Sequence, residues 1–543
     1  MTKAAPDKQR NLLSTLLSRL RRACTTADLR RVLVALYLLL ATEIWLLGCF
    51  AGRLNGDSTS YLALADSLVA GRGMVEPGPD GEFFPNLIRP PGYPAFLACL
   101  QLLFGRTLEA PVLAQAVLIC LSIEMVRRRL AASVGPGFSL ALPALAMCCP
   151  GFLVHAGRIS SEAPATFLLT VGLELFQRQR TGSIWLFGVG VSLAAGCLFR
   201  QNLLIVIPLL YGILWVRGSR ERGTAWILLA GAALVLGPWA IRNYRLTGVA
   251  SPVSALPEQY RYTYHADVLL LDARLREWWR SGDTPASSIR EADVSPVAEA
   301  STLLNQAHRR AIERSGLATL PGNADPSRAA DAGGQPAPSP NPVATISTGV
   351  FPWGSQKAKS FLLALNEETR RLVEKIGVPR ALAGRILFGI PRTWFTGPEM
   401  YPPGPVRWFG VLLAALQLGI LAALWGGAGQ ALRTTTQLVS VLMLALVCGD
   451  ILRYPAGTFL TVPILGFLAA RAGTASSVWT AVSLQLLVVL SARHAEFRYM
   501  TTHYPVILAL AIEAASRRYR KESRSVDSSE RLPTSEQLKC ANR

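Results

Sequence analysis

Apolar runs of near membrane-spanning length, separated by short polar or Arg-rich stretches, constrain this sequence more than any other feature. A bilayer core of about 30 Å is crossed by about 20 helical residues, fewer with local thinning. Read on that scale, the chain holds about twelve candidate spans: residues 32–51, 110–126, 138–154, 163–176, 184–198, 203–216, 225–241, 406–425, 437–448, 455–470, 478–490 and 504–515. Hydrophobic residues make up 51% of the chain and charged residues 17%, so a soluble fold would have to hide too much apolar surface. The expected fold class is an all-α polytopic membrane protein, with interface helices in the first outer loop and a partly helical outer insert.

The formal net charge of +20 invites a nucleic-acid reading, but the cations are not spread along a binding face. They cluster at Arg19, Arg21, Arg22, Arg30 and Arg31, at Arg127 to Arg129, at Arg217, Arg220 and Arg222, and at Arg517, Arg518, Arg520 and Lys521. With the N-terminus inside, every cluster falls on the cytoplasmic side, as the positive-inside rule requires. The expected partners therefore include membrane lipids and no nucleic acid. Most of the nine cysteines (Cys49, Cys99, Cys120, Cys148, Cys149, Cys197, Cys448) lie in apolar stretches without zinc or disulfide spacing and read as small buried hydrophobes. The first apolar run has spanning length with no small-residue cleavage site after it, so it is expected to stay as a signal anchor.

This topology divides the chain into a cytoplasmic amphipathic segment (1–31), a transmembrane core (32–247) with a first outer loop at 52–109, an outer insert (248–405), C-terminal spans (406–516) and a cytoplasmic tail (517–543). In the first outer loop, Tyr61, Leu62, Leu64, Ala65, Leu68 and Val69 have helical spacing, and 95–104 is apolar but too short to span. The insert carries helical patterns near 298–315 and 355–376, the latter stopped by Gly377 and Pro379. Between them, 321–342 has the Pro-, Ala-, Gly-, Asp- and Ser-rich composition of a disordered stretch. No internal repeat of the kind that builds inverted-repeat transporters is evident.

The most informative stretch runs Gly56-Asp57-Ser58-Thr59-Ser60-Tyr61 and then Ile88-Arg89-Pro90-Pro91-Gly92-Tyr93-Pro94. An acid directly after span one, followed by an Arg-Pro-Pro-Gly-Tyr-Pro segment, resembles the GT-C superfamily of glycosyltransferases, in particular the branch of protein O-mannosyltransferases and the aminoarabinose transferase. The resemblance continues at Arg158 with Ser161-Glu162, at Arg200, at Pro238-Trp239-Ala240-Ile241-Arg242-Asn243-Tyr244 and at Glu496-Phe497-Arg498-Tyr499. It covers 32–247 well, the C-terminal spans moderately and the insert hardly at all. It implies an inverting transfer from a polyprenyl-phosphate-linked sugar to a glycan, lipid or protein acceptor. With the Ala-, Leu- and Arg-heavy composition of a GC-rich bacterium, the expected setting is a bacterial inner (plasma) membrane, with the active site facing the periplasm.

The residue chemistry agrees with that expectation. A hydroxyl acceptor needs a carboxylate to take its proton, and a departing phosphate needs fixed guanidinium groups. Asp57 is the candidate base, with N-capping of the following helix as its structural alternative. Arg89 is the candidate ligand of the donor phosphate, supported by Arg200, Arg242 and Arg498; for each alone, an interface anchor is the ordinary role. Four arginines on the outer face run against the positive-inside rule, which favours a site. Glu162 is a second catalytic candidate, with capping of its span as the alternative. Tyr61, Tyr93, Glu496 and Tyr499 are candidate substrate-lining residues, among aromatics (Trp239, Tyr244, Trp394, Tyr401, Trp408) that otherwise read as an interface belt. Glu43, inside span one, needs a partner or a proton.

No certain cofactor is implied. With 5 His in the chain, and His494 and His503 lacking an i, i+4 or Cys partner, metal is the weaker reading, although some members of the resembled family use a divalent ion. No Walker-type or dinucleotide-binding loop is present, which argues against direct use of ATP or a nucleotide-sugar. Two alternatives stand beside the glycosyltransferase: a lipid-linked-glycan flippase or transporter, and a polysaccharide polymerase or ligase.

Overall fold

The computed structural model describes residues 26–50, 52–54, 57–77, 82–147, 150–178, 183–254, 258–283, 296–315 and 355–384, with short pieces between 467 and 516. Residues 1–25 of the N-terminal segment, the stretch 321–342, most of the C-terminal spans and the tail 517–543 lie outside the described residues.

The chain opens with α1 (Thr26–Phe50) and α2 (Ser58–Val69), then a short antiparallel ribbon, β1 (Val75–Pro77) against β2 (Phe83–Pro85). Next come α3 (Gly92–Phe104) and α4 (Glu109–Val134), then three short helices, α5 (Pro136–Ser139), α6 (Ala141–Met147) and α7 (Pro150–Ala156). The core continues with α8 (Glu162–Arg178), α9 (Ser183–Phe199), a 3-10 turn at Gln201–Ile205, α10 (Val206–Arg217) and α11 (Ser219–Thr247). The described part of the insert is helical: α12 (Glu258–Asp283), α13 (Pro296–Arg314), α14 (Ser355–Glu374) and α15 (Val378–Gly384).

One expectation is corrected. The fold is mostly helical but not all-α, because the first loop contains the β1–β2 ribbon. Of the candidate span 138–154, residues 138–147 lie in the apolar helical stretch Pro136–Met147 and 150–154 in α7. Three of the described helices are long and apolar enough to cross a membrane, over Leu29–Cys49, Glu109–Val134 and Glu221–Thr247; α3, α9 and the Gln201–Arg217 stretch are apolar but shorter. α2 and α3 confirm the two helices expected in the first loop, and α13 and α14 those expected in the insert. α12 was not anticipated. The cysteine expectation holds only in part: Cys197 is buried, Cys120 half-buried, and Cys49 and Cys99 are exposed.

The membrane-type helices pack around a core that includes Leu40, Ile44, Ile119, Leu169, Leu193, Leu209 and Leu228, while their outward faces stay apolar. Leu38, Leu39, Leu102, Leu103, Phe104 and Leu234 are all exposed, the pattern of a surface that meets lipid. The helices alternate in direction, so one end of the bundle gathers the C-termini of α1, α9 and α11 with the N-termini of α4, α8 and the 3-10 turn. Contacts fix both ends. At the first, Arg53 pairs with Glu109 and Arg242 Nη2 donates to the Asn86 carbonyl. At the opposite end, Tyr37 donates to Glu124, Arg127 and Arg128 grip the same carboxylate, and Arg217 lies over Phe176.

Two glycines let backbones approach closely where this matters for the first end. A Cβ on Gly157 would stand 2.4 Å from the Ile44 carbonyl, so only glycine lets α1 pass directly before Arg158. A Cβ on Gly92 would stand 2.6 Å from the Leu198 carbonyl, which seats the Arg89-Pro-Pro-Gly turn against the end of α9, beside Arg200. The insert packs on the same end. Leu87 and Ile88 are buried in one cluster with Ala307 and Ala311 of α13 and Ala358, Phe361, Leu362 and Leu365 of α14.

Candidate functional site

Asp57 precedes α2 in the capping position, yet its side chain makes no capping hydrogen bond. Its Oδ1 lies 2.7 Å from Arg89 Nη2, across 32 residues of sequence. The capping alternative therefore fails for this side chain, and the two residues of highest chemical interest meet. The Arg89 guanidinium also lies 5.1 Å from the centre of the Tyr61 ring, a cation–π arrangement.

Tyr61 carries the site inward. Its ring meets Tyr93 edge-on at 4.9 Å, and Tyr93 is fully buried, with its hydroxyl donating to Gln115 Oε1 at 2.6 Å. The Gln115 amide donates in turn to the carbonyls of Ala156 and Arg158, which pins the turn before α8. Ser58 Oγ donates to the Ile159 carbonyl at 2.8 Å, so the first turn of α2 is fastened to that same turn.

At the start of α8, Glu162 is 1% exposed and pairs with Arg200, 8% exposed, at 2.5 Å. Arg200 Nη1 also reaches Ser161 Oγ at 3.4 Å. Two carboxylate–guanidinium pairs thus stand on either side of the Tyr61–Tyr93 contact. Arg158 donates to the Gly52 carbonyl; burial holds its guanidinium below the usual arginine range, against the pull of Glu162.

Arg242 reaches the loop at its backbone. It lies 4.3 Å from the Trp239 ring centre and donates to Asn243 and to the Asn86 carbonyl. It is placed to support the Arg89 turn. Glu496, Arg498 and Tyr499, with His494, His503, Trp394, Tyr401 and Trp408, lie outside the described residues. Among the described residues, no three His, Cys, Asp or Glu side chains come together as a metal site would need.

Sequence reasoning missed Glu76 and Asn86. Glu76, on β1, is 5% exposed; its Oε1 accepts from Ser60 Oγ and Asn86 Nδ2, each at 2.8 Å. Burial pushes its carboxyl up to about 7, against the opposing effects of those two donors and of the Arg89 charge. The only available signal was a lone acid between Val75 and Pro77.

No family profile and no curated protein matches the chain by sequence. Among solved structures, it is similar to the archaeal oligosaccharyltransferase AglB from Archaeoglobus fulgidus in complex with an inhibitory peptide and a dolichol-phosphate. The identity is 12%, the TM-score 0.42, and the match covers 93% of this chain and 52% of that one. The chain thus spans about half the length of AglB. It is also similar to ArnT from Cupriavidus metallidurans bound to undecaprenyl phosphate, with 13% identity, a TM-score of 0.32 and coverage of 89% and 78%. For ArnT in the apo state, the values are 12%, 0.30, 89% and 77%.

Proposed function

We propose that this chain is a membrane-embedded inverting glycosyltransferase of the GT-C type, which moves a monosaccharide from a polyprenyl-phosphate carrier to an acceptor at the outer face of a bacterial inner membrane. The observation that carries the reading is the meeting of Asp57 and Arg89 just beyond the first apolar helix, where a lipid-linked donor and a water-borne acceptor can both arrive. Arg127, Arg128, Arg178, Arg217 and Arg222 gather toward the opposite end, which by the positive-inside rule supports a site end that faces outward.

The chemistry follows from the side chains. The acceptor hydroxyl attacks the anomeric carbon, and Asp57 takes its proton as the new C–O bond forms. The bond from that carbon to the phosphate oxygen breaks with inversion, and its electron pair leaves with the lipid phosphate. A guanidinium carries five N–H donors, so Arg89 can hold Asp57 and a phosphate oxygen together, stabilising charge where it develops. Tyr61, over which Arg89 lies, lines the approach, and Glu162 and Arg200 anchor the floor.

The test is transfer by the purified chain in nanodiscs, given a panel of undecaprenyl-phosphate sugars and membrane extract as acceptor, with release of undecaprenyl phosphate as the readout. Turnover that falls at least a hundredfold in Asp57→Asn supports the base. Wild-type turnover in that variant removes it, and lipid movement across the bilayer without bond formation replaces the enzyme with a flippase.

A further inference from the structure

Arg89 can serve a phosphate only if its backbone is held still, and the structure shows what holds it. Asn86, fully buried, uses all four of its polar groups. Its side-chain Oδ1 accepts from the backbone N–H of Ile88 at 3.1 Å and of Arg89 at 2.7 Å, closing an Asx-type turn on the arginine itself. Its Nδ2 donates to Glu76, which also holds Ser60 on the helix that Asp57 begins. Its backbone N–H donates to the Met74 carbonyl, and its own carbonyl accepts from Arg242. The ribbon, α2, α11 and the Arg89 turn therefore all meet at one side chain.

We infer that Asn86 and Glu76 are positioning residues, which set Arg89 against Asp57 by clamping the Arg89 turn to the helix that Asp57 opens. The inference rests on the reading of Arg89 as the donor-phosphate ligand. Neither residue touches the donor; each acts through the turn. The role predicts a specific rescue. Asn86→Asp keeps an oxygen for the Ile88 and Arg89 amides, but it loses the N–H to Glu76 and sets two carboxyls together. Adding Glu76→Gln, with its amide nitrogen in place of the oxygen that faces both neighbours, returns an N–H to the pair from the other side, while its second N–H donates to the Ser60 hydroxyl, which rotates to accept it.

The experiment measures the affinity of full-length chains in nanodiscs for undecaprenyl phosphate, with Arg89→Ala as the reference for a lost ligand. Asn86→Ala and Asn86→Asp should each weaken binding about tenfold, the usual scale for one broken buried hydrogen-bond link. Glu76→Ala, which removes the acceptor of both Ser60 and Asn86, should weaken binding to a similar extent. The Glu76→Gln, Asn86→Asp double variant should recover to within about threefold of wild type, which a merely structural loss would not do. If Arg89→Ala loses affinity while the Asn86 variants keep it, or if the double variant fails to recover, the positioning role is overturned and the phosphate reading stands. If folded wild-type chain binds no undecaprenyl phosphate, the phosphate reading falls and takes this inference with it.

Discussion

Glu76→Gln should make the protein more stable as pH rises, by an amount the structure sets. Glu76 is buried, and its carboxyl is held at about 7 instead of its ordinary 4.5. Below pH 4.5 it carries a proton both folded and unfolded, so it costs nothing. Between 4.5 and 7 the folded chain keeps the proton while the unfolded chain releases it, so stability falls as pH rises. Above 7 the whole penalty is in place. At about 1.4 kcal/mol per pH unit, that is about 3 kcal/mol. Glutamine has the same shape, keeps an oxygen for Ser60 and Asn86, and never ionises. Unfolding in one fixed detergent, followed by tryptophan fluorescence from pH 4.5 to pH 8.5, gives the difference between variant and wild type, in which all other titrating groups cancel. That difference should start near zero and grow to about 3 kcal/mol in favour of the variant. A difference that stays flat with pH, or that grows in favour of the wild type, refutes the argument that burial dominates at this carboxyl.

Three further outcomes follow from the same geometry. Glu162→Gln strands Arg200 without its buried counter-charge and should cost about 3–5 kcal/mol of stability, read as a fall in the detergent melting midpoint. Gly92→Ala drives a methyl into the Leu198 carbonyl and should cost about 1–3 kcal/mol, whereas Gly212→Ala, which meets no atom within 4 Å, should be neutral or mildly stabilising in the same melt. In steady-state kinetics, Arg89→Ala should mainly raise the donor KM and Asp57→Ala mainly lower kcat; the reverse pattern exchanges their roles.

What could be read from the sequence divides along the range of the interactions. Asp57, Arg89, Tyr61 and Tyr93 were legible because each sits in a short local pattern, an acid after an apolar span or an Arg-Pro-Pro-Gly turn before a helix. Glu162 and Arg200 were legible singly, but their pairing was not, since 38 positions separate them and only the antiparallel packing of α8 on α9 brings them together. Glu76 escaped because it belongs to a strand of three residues, too short to show alternation, and Asn86 because it directly follows another of the same length. α12 was passed over although Tyr264, Val268 and Leu271 already stood at helical spacing.

The burial of Leu87 and Ile88 under α13 and α14 bears on how this chain can be cut or grafted. Those two side chains immediately precede Arg89, so the insert forms the lid of the very turn that carries the arginine. Replacing the insert with a short linker would unroof that turn, and a chimaera borrowing another insert must bring its own apolar plug for the same two positions.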